Sequence, residues 1–554
     1  MPFPESPLVM ARQGMTSASK RSFSLLAFTA AAILAIVQYA FHNSSDRQLL
    51  IRSLELGLLT AVGSTILGSL LASGLRATSP RLRAIGLQLL VALVFLPLYI
   101  QFCAWDAAGG KLGWLTVWFR SPANPLLSGL TGASIIHIAT SIPLVTLWMH
   151  YVDHSHNLAS QAAYLDGPSW MVFLRIRLPQ LLPSILAIFS WIFLQTLGEM
   201  TITNIYLVKT YMEEVYNSLA GNIDTRQALT GILPLAAWIG MTWLLLFAAL
   251  PTLFQKLLFA GESASRISTN SSKTTTAAGY IGLAAIFGLA LLPLVSFGLR
   301  IGGDVRMTAT GLSRTWSPGK AMNLLLRTPS YFAAEIQVTI LVASIAASVG
   351  LALALLLHLP FLQSRSSSKS SARFWPLGLA LAIAAIPGPV IGLWLIELFG
   401  NSPIPVLNWF YDKTVFVTAL AQCLKAFPLQ AILSAVLFWK TPTASLEAMQ
   451  LEAGSSSGNR LRLLLSQSGW GLAATWLVGF LIASGDLAYS QLVTPPGLET
   501  LPRRIFGLAH SGVDEQLAGM GLWIFFLTIL LWGLCQKLWI TGQSTSPATL
   551  AGRK

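Results

Sequence analysis

Asn157–Ser184, NLASQAAYLDGPSWMVFLRIRLPQLLPS, is a basic and partly polar interruption between two stretches apolar enough to cross a bilayer. Its first part, Leu158 to Leu165, reads as a short Ala-rich helix. Asp166 and Gly167 stop it, because glycine tolerates the left-handed geometry that ends helices. Pro168 stands where a second helix begins, its missing N–H costing nothing at a first helical position. That helix, Ser169 to Arg177, carries Trp170, Phe173, Arg175 and Arg177, and Pro179 is expected to end it. Two short helices joined at a glycine corner form a rigid elbow between spans, a shape suited to receiving a push from another protein.

The rest of the chain sets that elbow in a membrane. Of 554 residues, 54% are hydrophobic and only 10% charged, too apolar for one soluble domain of that length. The formal net charge of +14 is spread over short loops between apolar runs, which fits loop orientation by the positive-inside rule and not nucleic-acid binding. Cys103, Cys423 and Cys535 fall in or beside apolar runs with neither CxxC nor metal-ligand spacing, and read as inert. The first run, 22–41, is long for a signal core and lacks a small-residue cleavage site, so it reads as an uncleaved span.

About twelve spans of some 20 residues follow from hydropathy. They lie near 22–41, 53–75, 84–104, 128–151, 181–206 and 228–254, then 278–299, 335–358, 374–399, 414–438, 469–489 and 517–540. The expected organisation is a polar segment 1–20, a first unit 21–260, a Ser/Thr-rich linker 261–276, a second unit 277–542 and a tail 543–554. With the termini and the elbow on one side, that side holds about 20 Lys and Arg against about 14 opposite. The exception to the rule is the opposite-side loop from Arg300 to Arg327, which is rich in basic residues.

The second unit repeats the first at an offset of about 282 to 290 residues. Leu96-Pro97 matches Ile386-Pro387, Ile142-Pro143 matches Phe427-Pro428, and Gly198-Glu199 matches Gly485-Asp486. Gln161-Ala162 with Leu165-Asp166 matches Glu447-Ala448 with Leu451-Glu452, and Thr210–Ala228 aligns without a gap on Thr500–Ala518. An even number of spans per unit gives both copies one orientation, so an axis along the membrane normal relates them. The fold class expected is therefore an all-α polytopic membrane protein, two tandem parallel repeats.

Gln161-Ala162-Ala163, Leu165-Asp166-Gly167, Ser169 and Leu178-Pro179 resemble the EAA loop of bacterial ABC importer permeases. The whole chain is similar to the double-length permeases of the ferric-iron and thiamine import group, in which two six-span halves are fused. The resemblance extends to Gly198-Glu199-Met200-Thr201 and to Pro495-Pro496-Gly497 followed by Thr500-Leu501-Pro502. It implies the type I importer permease fold in a bacterial inner membrane, both termini cytoplasmic. It further implies two copies of an ABC ATPase subunit holding ATP and Mg²⁺, docked on coupling helices, and a periplasmic binding protein delivering substrate. The residues carried over to ATPase coupling are Gln161, Ala162, Ala163, Leu165, Asp166, Gly167 and Ser169, and in the second copy Glu447, Ala448, Leu451, Glu452 and Gly454. The second copy lacks the Leu-Pro ending, having Leu464-Leu465 in its place, so its junction with the following span is expected to be less sharply fixed. Ferric iron, thiamine, a polyamine or an organophosphonate all fit as substrate.

No chemistry of its own is legible in the chain. Gly311 to Lys320 lacks the glycine spacing and hydroxyl of a phosphate loop, neither HExxH nor GxSxG occurs, and no metal site is expected; His154 and His156 read as solvated loop residues. Ionisable residues within spans cost roughly 2.5 to 3.5 kcal/mol on insertion scales, so each calls for a role. Glu199 and Asp486 are read as facing each other across the pseudo-two-fold axis and lining a translocation path, where an acidic pair favours a cation. The competing reading has them near the outer interface, capping the following segment. Lys425, shortly before Pro428, either pairs with an acidic residue or snorkels to the interface. Two other functions remain open: a secondary transporter driven by an ion gradient, and a non-transporting scaffold.

Overall fold

A computed structural model describes residues 44–119, 124–154, 169–220, 273–308, 311–363, 375–440, 457–511 and 514–544. The first and sixth expected spans, the elbow residues Gln161 to Gly167 and their counterparts Glu447 to Gly454 lie outside these. Among the described residues, seven helices are long and apolar enough to cross a membrane, or up to nine if each of two bent pairs is one span. Helices prevail because hydrocarbon offers the backbone no partner, so each N–H and C=O must bond within its own segment.

The elements run α1 (Ser44–Arg76), α2 (Pro80–Phe95), α3 (Leu98–Gly109), α4 (Trp114–Phe119), α5 (Gly129–His154), α6 (Ser169–Val172) and α7 (Leu178–Leu197). Short helices α8 (Thr201–Ile205) and α9 (Tyr211–Ala220) follow. Next come α10 (Lys273–Ile301), an antiparallel hairpin of β1 (Gly303–Thr308) and β2 (Gly311–Trp316), α11 (Pro318–Tyr331) and α12 (Ala333–Gln363). The chain continues through α13 (Trp375–Ala385), α14 (Gly388–Leu395), α15 (Pro405–Lys413), α16 (Phe416–Lys440), α17 (Ser457–Ser484), α18 (Leu501–Ser511) and α19 (Asp514–Ser544). The hairpin holds the only β-strands among the described residues.

Two groups of helices form the body. In one, α1 packs along α5 and α7; in the other, α12 packs along α16 and α17. Helix α10 lies against α1, α2 and α3 as well as α19, tying the groups together. Alanines at the contacts, such as Ala346, Ala347, Ala426 and Ala431, are fully buried and let backbones approach, as lipid-embedded bundles require.

The expected third and ninth spans are not straight. Helix α2 stops at Leu96-Pro97 and α3 leaves at 104°; α13 stops at Ile386-Pro387 and α14 leaves at 94°. Leu96 is extended (φ −70°, ψ 124°), as the residue before a proline prefers. Pro143, Pro183, Pro293 and Pro428, by contrast, sit inside unbroken helices. What separates the two sets is provision for the carbonyls the break frees. Gln101 Nε2 donates to Leu93 O (3.1 Å) and Leu96 O (2.9 Å), Gln195 Nε2 to Ala384 O (3.2 Å), and Tyr489 Oη to Ile386 O (3.1 Å).

Pro179 does not end a helix, contrary to expectation. Ser169 to Leu197 runs unbroken through a π-turn at Phe173–Arg177, where Leu178 N–H reaches back to Phe173 O. Pro179 follows directly on this wider turn, the kind of local adjustment by which a helix takes in a proline without ending. In the second unit α17 runs from Ser457 to Ser484 without a break through Leu464-Leu465. A leucine pair in place of Leu-Pro simply leaves the helix uninterrupted.

Candidate functional site

The two proline breaks meet between the helix groups. A cavity of about 320 Å³ is lined by Leu96, Pro97 and Gln101 from the first break, His137 and Thr140 of α5, and Ile482 and Gly485 at the end of α17. A second, of about 150 Å³, is lined by Ala385, Pro387 and Gly388 from the other break together with Tyr99, Gly198 and Tyr489. Leu98, Gln195, Glu199, Lys425 and Gly485 line both.

Glycine fixes how closely the groups approach here. A β-carbon on Gly198 would stand 3.2 Å from Pro387 Cβ, and one on Gly485 would stand 2.8 Å from Pro97 Cγ. The glycine that ends α7 thus lies on the proline of the later break, and the glycine after α17 lies on the proline of the earlier one. Neither contact has room for a larger residue unless the proline shifts.

The acidic residue after each glycine is buried and satisfied in the same way. Glu199 accepts from the backbone N–H of Thr201 through Oε1 and of Ile202 through Oε2 (3.2 Å), and His137 Nε2 lies 3.4 Å from Oε2 without hydrogen-bond geometry. Asp486 accepts from Tyr489 N–H (3.3 Å) and Ser490 N–H (3.0 Å), and Lys425 Nζ lies 3.0 Å from its Oδ1. Each carboxylate therefore caps the segment that follows it, and each takes a basic side chain from the preceding long helix as its partner. The partners are unequal in kind: an ammonium beside Asp486, an imidazole beside Glu199.

Exposure separates the members. Asp486 is wholly buried and lines neither cavity, whereas the Lys425 side chain is 33% exposed and reaches into both, its Nζ 5.8 Å from the centroid of the Tyr489 ring. The Glu199 side chain is 12% exposed and also lines both. Counting along α5 from Gly129 puts His137 about 12 Å from the helix start at 1.5 Å per residue, within an apolar stretch long enough to cross a membrane. Among the described residues no group of three or more His, Cys, Asp or Glu side chains is placed to hold a metal ion.

Of the residues singled out in the sequence, Glu199 and Lys425 meet at these cavities, and Lys425 pairs with Asp486. Ser169 opens α6, far along the chain from the cavity end of α7; the remaining coupling residues lie outside the described residues. His137, Gln101, Gln195 and Tyr489 were missed. A signal existed for Gln101: an amide-bearing residue one turn after an in-span Leu-Pro has two freed carbonyls within reach. No family model and no curated protein matches the chain.

Proposed function

We propose that the chain is the membrane-spanning permease subunit of an ATP-driven ABC importer, two tandem halves around one path, with the cavities between the proline breaks on that path. The observation that carries the reading is the exchange of contacts at the centre. Gly198 of the first half meets Pro387 of the second, and Gly485 of the second meets Pro97 of the first. Residues matched by the internal repeat make reciprocal contacts, as a pseudo-two-fold axis along the membrane normal requires. Breaks at matched prolines and carboxylate caps at matched positions support the same axis.

Continuity of α6, the π-turn and α7 supports the mechanism. ATP binding can drive transport only if it is favoured in one conformation over the other, so motion at a docking helix must reach the path without loss. A single helix from Ser169 to Leu197, ending at Gly198-Glu199, is such a lever. In this reading two ATPase subunits, holding ATP and Mg²⁺, draw the two EAA segments together in the cytoplasm. The ends of α7 and α17 move with them, and Gly198 and Gly485 slide on the opposing prolines. A periplasmic binding protein delivers the substrate, and the inner membrane of a bacterium is the setting. Ferric iron remains one candidate cargo. Because the carboxylates of Glu199 and Asp486 already hold backbone and basic partners, a metal ion would pass here without a prebuilt ligand cage.

The test is transport and ATPase stimulation in the reconstituted complex. Gly167→Trp or Asp166→Lys abolishes both while leaving membrane insertion intact; wild-type coupling in either variant sinks the assignment. One observation favours an alternative. Basic–acidic pairs beside cavities between apolar helices also suit a carrier driven by an ion gradient. That carrier would be active as the chain alone in proteoliposomes without ATP, and the importer would not.

A further inference from the structure

Between α10 and α12 the chain makes the hairpin and α11, the segment whose basic residues run against the charge asymmetry of the loops. Successive residues of α11 are about 100° apart around its axis, which sorts its surface into sectors. Ala321, Leu324, Leu325 and Thr328 face the bundle: Thr328 is buried, the two leucines pack against the core, and Trp523 Nε1 of α19 donates to Leu325 O (2.8 Å). Asn323, Arg327 and Ser330 form an exposed polar sector. Between these two sectors lie Met322 and Leu326, one turn apart, 58% and 67% exposed. The apolar arc is thus much wider than the surface the bundle covers.

We propose that α11 lies in the membrane–water interface, with the lipid bilayer as the occupant of the Met322–Leu326 stripe and the headgroup layer facing Asn323 and Arg327. Several features of the surroundings select lipid over a protein partner. α11 leads into a span, with Phe332 alone between it and α12, so it sits at the level where hydrocarbon gives way to headgroups. The spans it packs against carry exposed apolar residues of their own, Ile340 and Leu341 on α12 and Phe526 and Leu530 on α19. Exposed aromatics mark both ends, Trp316 before the helix and Tyr331 at its last position, as in interfacial belts. A helix with one side on protein, one in acyl chains and one toward water matches the geometry of interfacial helices. Lys320 fixes its start, bonding Glu515 (2.7 Å) and Gly303 O (3.0 Å).

The placement rests on the chain being membrane-embedded and is independent of the importer reading. Site-directed nitroxides on the full chain in lipid nanodiscs test it. Single cysteines at 322, 323, 326, 327 and 340 are introduced after replacement of Cys103, Cys423 and Cys535. The expected result is that labels at Met322→Cys and Leu326→Cys favour oxygen over a water-soluble nickel chelate, approaching Ile340→Cys. Asn323→Cys and Arg327→Cys favour the chelate several-fold. Chelate access at 322 and 326 equal to that at 323 overturns the proposal, and is the outcome if the stripe is instead reserved for a soluble protein.

Discussion

Replacing Lys425 with methionine removes the side-chain cation that, among the described residues, stands beside Asp486, and the consequence follows from burial. At 3.0 Å and an effective dielectric of 20, the pair attraction is about 5 kcal/mol. Desolvation of both ions cancels much of this in the intact protein, but removing one partner leaves the other's desolvation uncompensated. Asp486 has no exposed surface and keeps only the Tyr489 and Ser490 N–H groups. Broken buried pairs cost about 3–5 kcal/mol, and the partial exposure of Lys425 puts Lys425→Met near the lower end, about 3 kcal/mol. Asp486→Asn costs less, because the orphaned ammonium stays within reach of the cavity while Asn keeps an acceptor for the capped N–H groups. The double variant recovers most of the loss, leaving about 1 kcal/mol. Reversible unfolding in mixed micelles, run as a double-mutant cycle, measures all of these values. A Lys425→Met cost under about 1 kcal/mol, or costs that simply add in the double variant, would refute the reasoning.

Other perturbations test other joints. Gln430 fills a slot between Gly350 and Gly479, where added β-carbons would stand 2.2 Å from Oε1 and 2.0 Å from Nε2, while Nε2 donates to Ala347 O (2.9 Å). Gly479→Ala should therefore destabilise by about 1–3 kcal/mol, and Gln430→Ala added to it should return part of that in the same unfolding assay. At the crossing contacts, Gly485→Ala should cost more stability and function than Gly198→Ala, since its β-carbon meets proline at 2.8 Å and not 3.2 Å; equal costs would count against the close approach. Burial holds the Glu213 carboxyl of α9 above the usual range, and its Oε2 has no hydrogen-bond partner among the described residues. A raised folded-state pKa destabilises the ionised form, so stability falls as pH rises from the unfolded pKa through the folded one. Glu213→Gln should accordingly be more stable than the parent at neutral pH and lose that advantage in acid, as thermal unfolding across a pH series would register.

Much of this architecture is written locally. A run of apolar residues in lipid has no alternative to helix, because its backbone groups find partners nowhere else. Matched Leu-Pro, Ile-Pro, Gly-Glu and Gly-Asp pairs were visible as a repeat because each is a short sequence feature. The caps of Glu199 and Asp486 were legible only as the competing reading, on the ground that an acid just past a helix end has free N–H groups within a few residues. Pro179 was misread for a reason just as local: a π-turn upstream absorbs the proline, and hydropathy carries no sign of it.

Tertiary structure decided which prolines break a span and which charges pair. Pro97 and Pro143 are alike in sequence, but only the break at Pro97 has Gln101 to take the freed carbonyls, and the break at Pro387 has Tyr489 and Gln195 brought to it from other helices. Lys425 meets Asp486, and His137 meets Glu199, because α16 and α5 lie beside the ends of α17 and α7. The energy of a buried charge depends on a partner within a few ångströms, whatever its distance along the chain. Helix is dictated residue by residue, whereas the occupant of a cavity wall is fixed only once the bundle has packed.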